Sequence, residues 1–135
     1  MIPTLTLRTI LIVEDEPFIR FDLVDFFRDR GFHVFEAENA DEAIQILATN
    51  GIIQAVLTDV HLPGPMDGIR LAHHVRNCCP LTVLVIASGM LKPDDSSLPE
   101  RAFFVSKPYN LRSVLREIER QAIWGNGEIS FENAR

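Results

Sequence analysis

Three acids, a hydroxyl and a lysine stand at the ends of apolar runs in this chain, a set of groups able to handle a phosphoryl group. Asp59 closes the run Gln54-Ala55-Val56-Leu57-Thr58, and Ile10-Leu11-Ile12-Val13 leads into Glu14-Asp15-Glu16. Leu81 to Ala87 ends in Ser88, and Phe103-Phe104-Val105 ends in Ser106-Lys107-Pro108. If the runs are strands of a parallel sheet, their carboxyl ends share one edge, which is where open α/β folds keep their sites. Glu14, Asp15 and Asp59 then meet in one crevice. Clustered carboxylates repel one another unless a cation joins them. Mg²⁺ is the natural occupant, because it takes hard oxygens and keeps several waters beside one or two carboxylates and a phosphate oxygen. Asp59, alone at the tip of its strand, is the candidate nucleophile, and Glu14 and Asp15 form the pair suited to hold metal. A carboxylate attacking an activated phosphoryl group yields an aspartyl-phosphate. Such a transfer asks the protein mainly for in-line positioning and for cancellation of charge on the equatorial oxygens. Mg²⁺, Lys107 and the Ser88 hydroxyl could each take one oxygen.

The elements that must deliver these residues follow from the apolar pattern. Short continuous runs alternate with helical periodicity, the signature of β-α units around a parallel sheet, and five such units can be counted. The expected strands are 9–14, 32–36, a third ending at Asp59, 81–87 and 102–106. The first helix is expected from Pro17 to Gly31, with Phe18, Leu23, Phe26 and Phe27 as its apolar side. Asn39-Ala40-Asp41-Glu42 has the capping-box arrangement, opening a helix that turns Ile44, Leu47 and Ala48 inward. Pro63 and Pro65 delay the third helix to about Asp67, and Pro80 stops it near Cys78. Between residues 90 and 99 two prolines and weak periodicity allow at most a short fourth helix. Asn110 caps a last helix carrying Leu111, Val114, Leu115, Ile118 and Ala122, with its end expected near Trp124-Gly125. Gly64 and Gly68 read as flexibility in the loop and at the helix start. Glu16 reads as an acid favouring the start of the first helix through the macrodipole.

At 135 residues, 47% apolar and 24% charged, the composition is that of one soluble globular domain. We take 1–135 as that domain, with a core over about 8–124 and a tail over 125–135. The net charge of −6, with 13 scattered Lys and Arg, argues against direct nucleic-acid binding, which needs a concentrated basic face. The adjacent Cys78 and Cys79 match neither a disulfide framework nor a C-x-x-C metal spacing, so reduced thiols and a cytoplasmic location are expected. No targeting segment or apolar stretch of membrane-spanning length is visible. His61, His73 and His74 could suggest a metal site or a second phosphate carrier, but adjacent helical residues such as His73 and His74 project in different directions.

Four strings in order, Val13-Glu14-Asp15-Glu16-Pro17, Leu57-Thr58-Asp59-Val60-His61-Leu62-Pro63, Ala87-Ser88-Gly89 and Ser106-Lys107-Pro108, resemble the receiver domain of two-component response regulators over about residues 8–124. The resemblance implies a doubly wound, flavodoxin-like sheet of order 2-1-3-4-5 with helices on both faces. It implies that Asp59 accepts phosphate from a sensor histidine kinase or a histidine phosphotransfer protein, and that Glu14, Asp15 and Asp59, with the backbone carbonyl of His61, bind Mg²⁺. Lys107-Pro108 would be cis, and Phe104, where the family often has Tyr, could act as an aromatic switch without a phenolic hydroxyl. Output would pass by protein contacts to a downstream target, making the chain a signalling phosphoacceptor rather than an enzyme. The segment between Ser88 and Lys107 is shorter than receivers usually have by nearly a helical turn, so the output surface is not standard. Rival readings are a receiver cut from a longer response regulator or hybrid kinase, an aspartate-nucleophile phosphatase and a nucleotide- or flavin-binding module. Such phosphatases resemble an Asp-x-Asp string, and Thr58-Asp59-Val60-His61 has no second acid. For a nucleotide or flavin module, Glu14-Asp15-Glu16 would repel phosphates where a Gly-rich turn is needed. The opening methionine favours an intact small protein over a fragment.

Overall fold

Strand β1, Arg8–Val13, is buried from Thr9 onward, and its alternate residues serve two different cores. Ile10 and Ile12 pack with helix α1, Pro17–Asp29, and helix α4, Leu111–Gln121; Leu11 and Val13 pack with α2, Ala40–Thr49, and α3, Gly68–Cys78. That two-faced burial is why β1, β3 (Ala55–Asp59) and β4 (Val83–Ser88) read as continuous apolar runs. Strands β2, Phe32–Ala37, and β5, Ala102–Ser106, close the sheet at its edges. All neighbours are parallel, in the order β2-β1-β3-β4-β5, as the sequence led us to expect. The computed structural model describes residues 8–90 and 92–122. The tail expected over 125–135 lies outside them.

The helix starts are set by side chains named in the sequence. Glu16 does more than face a dipole: its Oε1 accepts the N–H groups of Phe18 and Ile19, so it is the N-cap of α1. Asn39 Oδ1 accepts from Glu42 N, while Glu42 reaches back to the N–H of Glu38, one residue before the cap. Asp67 and Asn110 cap α3 and α4 in the same way.

Several expectations are corrected. Phe18 is not on the apolar side of α1 but 81% exposed, with Phe21 at 66% beside it. The buried positions are Leu23, Val24 and Phe27, and Phe18 sits nine residues before Phe27, half a turn out of phase with it. Ala48 is likewise exposed, and α2 buries Ala40 and Ala43 instead. Strand β4 starts at Val83, leaving Leu81 exposed. The last helix stops at Gln121, because Ala122 takes extended backbone (ψ 145°) while its N–H closes the final turn onto Ile118 O. Trp124 and Gly125 lie outside the described residues.

Where a fourth β-α unit would place a helix, only a single 3-10 turn, Asp95–Ser97, is present. One side chain of α3 meets the turn itself, and a second meets the chain just after it. The His73 ring meets Ser97 O at 2.9 Å, and Arg76 donates through Nε to Glu100 O and through Nη1 to Pro80 O and Thr82 O. Arg76 is a buried cation whose pKa is lowered, chiefly by desolvation, and three carbonyls supply its partners.

Candidate functional site

The carboxyl ends of β1, β3, β4 and β5 do converge on one edge. Asp59 ends β3, 9% exposed, and Glu14 follows β1 with 3% of its surface exposed. One carboxylate oxygen from each of Glu14, Asp15 and Asp59 lies within 4.8 Å of the others, the only such grouping of potential metal ligands among the described residues. Lys107, one residue past β5, puts Nζ 2.6 Å from Asp59 Oδ1 and 3.4 Å from Glu14 Oε1. The sequence-predicted acids and the lysine are therefore together.

The electrostatics follow from burial. Glu14 is pushed above the usual carboxylate range, first by desolvation and then by the hydrogen bond and negative charge of Asp59; the Glu16 N–H and Lys107 act against that rise. For Lys107, burial alone would lower the pKa, but the hydrogen bond and charge of Asp59, with those of Glu14, outweigh it and hold the amine above its ordinary value. Tyr109, just past Pro108, has its phenol pushed up by burial and then by the charges of Asp59 and Glu14. Three acids facing one amine are a donor set short of positive charge, and a divalent oxygen-seeking ion fits it.

Ser88 ends β4, 3% exposed, with Oγ accepting the N–H of Met90 at 3.0 Å. Its carbonyl accepts the Lys107 N–H at 2.8 Å, so the hydroxyl and the lysine are tied to one backbone junction. The Lys107-Pro108 bond is cis. His61 is exposed in the loop after β3. Phe104, in β5, is half-buried against the core shared by Leu84, Ile86 and Leu98, the side that carries the 3-10 segment.

Two supporting residues were not singled out for this role from sequence. Gly68, read as a flexible helix start, has no positive φ; it is there because a Cβ would fall 1.7 Å from the carbonyl oxygen of Asp59. Its N–H also donates to Val60 O at 2.7 Å, which pins the start of α3 to the end of β3. Gly64, at φ 95°, does use glycine's freedom. Arg20, on α1, donates through Nη1 to Glu14 O at 2.8 Å and through Nε to Glu36 Oε1 at 3.1 Å, fixing the loop that carries the acidic pair. Arg20 carried no motif, and nothing in the sequence marked it.

A parallel sheet of this order, with helices on both faces and acids at the β1 and β3 ends, is the flavodoxin-like receiver architecture. The chain belongs to the response regulator receiver domain family, whose sequence profile matches residues 10–119. It is 33% identical over 121 residues to the response regulator receiver protein CpdR of Brucella abortus, spanning 87% of this chain and 98% of that one. Other curated relatives are matched over as little as 12% of their length. Among solved structures, the receiver domain of the hybrid histidine kinase CckA superposes with a TM-score of 0.70 at 28% identity, covering 84% of this chain and 97% of that one. A receiver protein from Sinorhizobium medicae WSM419 superposes with a TM-score of 0.79, over 85% and 94% of the two chains; at 23% identity that likeness speaks for the fold alone. Among the described residues no helix is long and apolar enough to cross a membrane.

Proposed function

We propose that this receiver accepts a phosphoryl group on Asp59 from a histidine of a sensor kinase or phosphotransfer protein, acting as a single domain over 1–135 in the cytoplasm. The observation that carries the reading is Lys107 Nζ 2.6 Å from Asp59 Oδ1, inside a cluster of three carboxylates. Glu14, Asp15, Asp59 and the backbone carbonyl of His61 would hold Mg²⁺, which when bound neutralises charge on a phosphoryl oxygen. In the transfer, an Asp59 carboxylate oxygen forms a bond to phosphorus as the phosphorus–nitrogen bond of the donor breaks, and that electron pair returns to the imidazole. Lys107 moves from the carboxylate to a phosphoryl oxygen, and the Ser88 hydroxyl, while still accepting from Met90 N, donates to another. The test is intact-mass spectrometry after incubation with acetyl phosphate and Mg²⁺: one phosphoryl group is expected, and none without the ion. Sustained turnover of an external phosphoester would favour the phosphatase reading instead.

The metal assignment makes a separate prediction. Asp15→Asn should weaken Mg²⁺ binding at least about tenfold, the loss that even an outer-shell partner's removal brings, whereas His61→Ala should change it little because only the main chain is used there. Calorimetric titration of both variants checks this, and equal losses would make the imidazole a ligand.

Output is proposed to run through residues 88–104, including Phe104 as the aromatic switch, to a downstream protein. Ser88 heads this segment, whose regular structure is a single 3-10 turn and whose ties to α3 are the His73 contact with Ser97 O and the Arg76 contact with Glu100 O. Segments with so little regular structure lie at the low-stability end of a fold, where one new contact shifts populations. A phosphoryl mimic with Mg²⁺ is expected to change hydrogen exchange chiefly across 88–104. Changes confined to α1 would place the output surface elsewhere.

A further inference from the structure

The two thiols at the end of α3 come together in a way their adjacency does not dictate. Neighbouring residues on a helix splay by about 100°. Here the helix ends at Cys78, Cys79 leaves it with φ −136° and ψ 74°, and the sulfurs lie 3.2 Å apart. Both thiols are free, Cys78 exposed and Cys79 partly covered, and the chain has no other cysteine.

Three uses of such a pair can be separated by geometry. A disulfide is disfavoured: the peptide between them is trans, so the Cα atoms stand about 3.8 Å apart, short of the roughly 4.4–6.8 Å that disulfides span. A structural zinc site needs four ligands, and among the described residues neither cysteine belongs to a grouping of three or more potential ligands. Taking a bond to sulfur of about 2.3 Å, two sulfurs on one centre lie about 4.6 Å apart if linear, about 3.8 Å if tetrahedral and about 3.3 Å at a right angle. The observed 3.2 Å matches the last. A linear two-coordinate Cu(I) is therefore a poor fit as well.

We propose that Cys78 and Cys79 form a chelating site for trivalent arsenic or antimony, whose lone pair presses its bond angles toward a right angle and which needs only two protein ligands. With arsenous acid, two arsenic–oxygen bonds break and two arsenic–sulfur bonds form. Each thiol proton leaves with a hydroxide as water, the third hydroxyl stays on arsenic, and nothing is oxidised or reduced. Because the thiol proton leaves in the same exchange, the site does not need a preformed thiolate. The net exchange therefore tolerates the raised pKa of Cys79, pushed up to about 11 by burial and then by Cys78, while its protonated thiol is the slower of the two to attack. The backbone need not move: Cys79 N–H keeps its bond to Val75 O at 2.7 Å, and Cys79 O keeps the Thr82 N–H at 3.1 Å.

The probe is phenylarsine oxide, read by intact-mass spectrometry of the full chain. Wild type is expected to gain one phenylarsenic unit in place of two hydrogens, to keep it through a wash with excess 2-mercaptoethanol, and to lose it to a dithiol. Cys78→Ser, at an exposed position, and Cys79→Ser should each lose the adduct in the monothiol wash, and arsenite added first should block it in wild type. An adduct that the monothiol removes from wild type, one that survives the wash in either single variant, or a failure of arsenite to compete would overturn the proposal.

Discussion

Asp59→Asn is expected to abolish the Mg²⁺-dependent gain of a phosphoryl group while leaving the fold intact. The amide keeps the volume of the side chain at the end of β3 but lacks the anionic oxygen that the proposed transfer brings to phosphorus. The fold should tolerate the change, because it removes one of three negative charges gathered around a single amine and Lys107 keeps Glu14 at 3.4 Å. In Mg²⁺-free buffer the variant's melting temperature should therefore equal or exceed that of wild type. The two measurements together are decisive: a full mass shift in the variant would move the acceptor to another residue, and a collapsed melting temperature would show that Asp59 is needed structurally.

What could be read in the sequence was what depends on strand ends. A strand buried on both faces is a continuous apolar run, its end lies at the sheet edge, and parallel strands put all those ends together, so Asp59, Glu14 and Ser88 were legible as neighbours, with Lys107 added by the shorter apolar run of the edge strand β5. What depends on helix phase was legible in principle but misread at Phe18, where aromatic character outweighed a count of 3.6 residues per turn. Contacts between side chain and distant backbone left no pattern at all. Arg20 on the Glu14 carbonyl and Arg76 on the carbonyls of Pro80, Thr82 and Glu100 each recognise a peptide group, which every residue has, so no partner residue type marks them. The convergence of Cys78 and Cys79 depends on where α3 ends, and helix ends are the least certain feature of any periodic pattern.

Gly68 supplies the second large expected effect, and a glycine four residues away supplies its control. In Gly68→Ala the new methyl would lie 1.7 Å from the carbonyl oxygen of Asp59 and 2.7 Å from its carbonyl carbon, with nothing flexible to give way. Either α3 retreats, losing the 2.7 Å bond from Gly68 N to Val60 O, or the end of β3 shifts. Overpacking of this kind lowers stability by about 1–3 kcal/mol. Gly64→Ala should lower it by a similar amount, about 1–2 kcal/mol, for a different reason: φ is 95° there, but the space around it is open. Stability alone does not separate the two variants, and function does. Displacing a reacting group by about 1 Å can slow a reaction on the order of a hundredfold, so Gly68→Ala should slow phosphorylation by acetyl phosphate at least about tenfold at saturating Mg²⁺. Gly64→Ala, away from the Asp59 backbone, should stay within about twofold of wild type once both are assayed well below their melting temperatures. Equal phosphorylation rates in the two variants would mean that the strand end absorbs the methyl without moving the carboxylate, and the positioning role given to Gly68 would be lost.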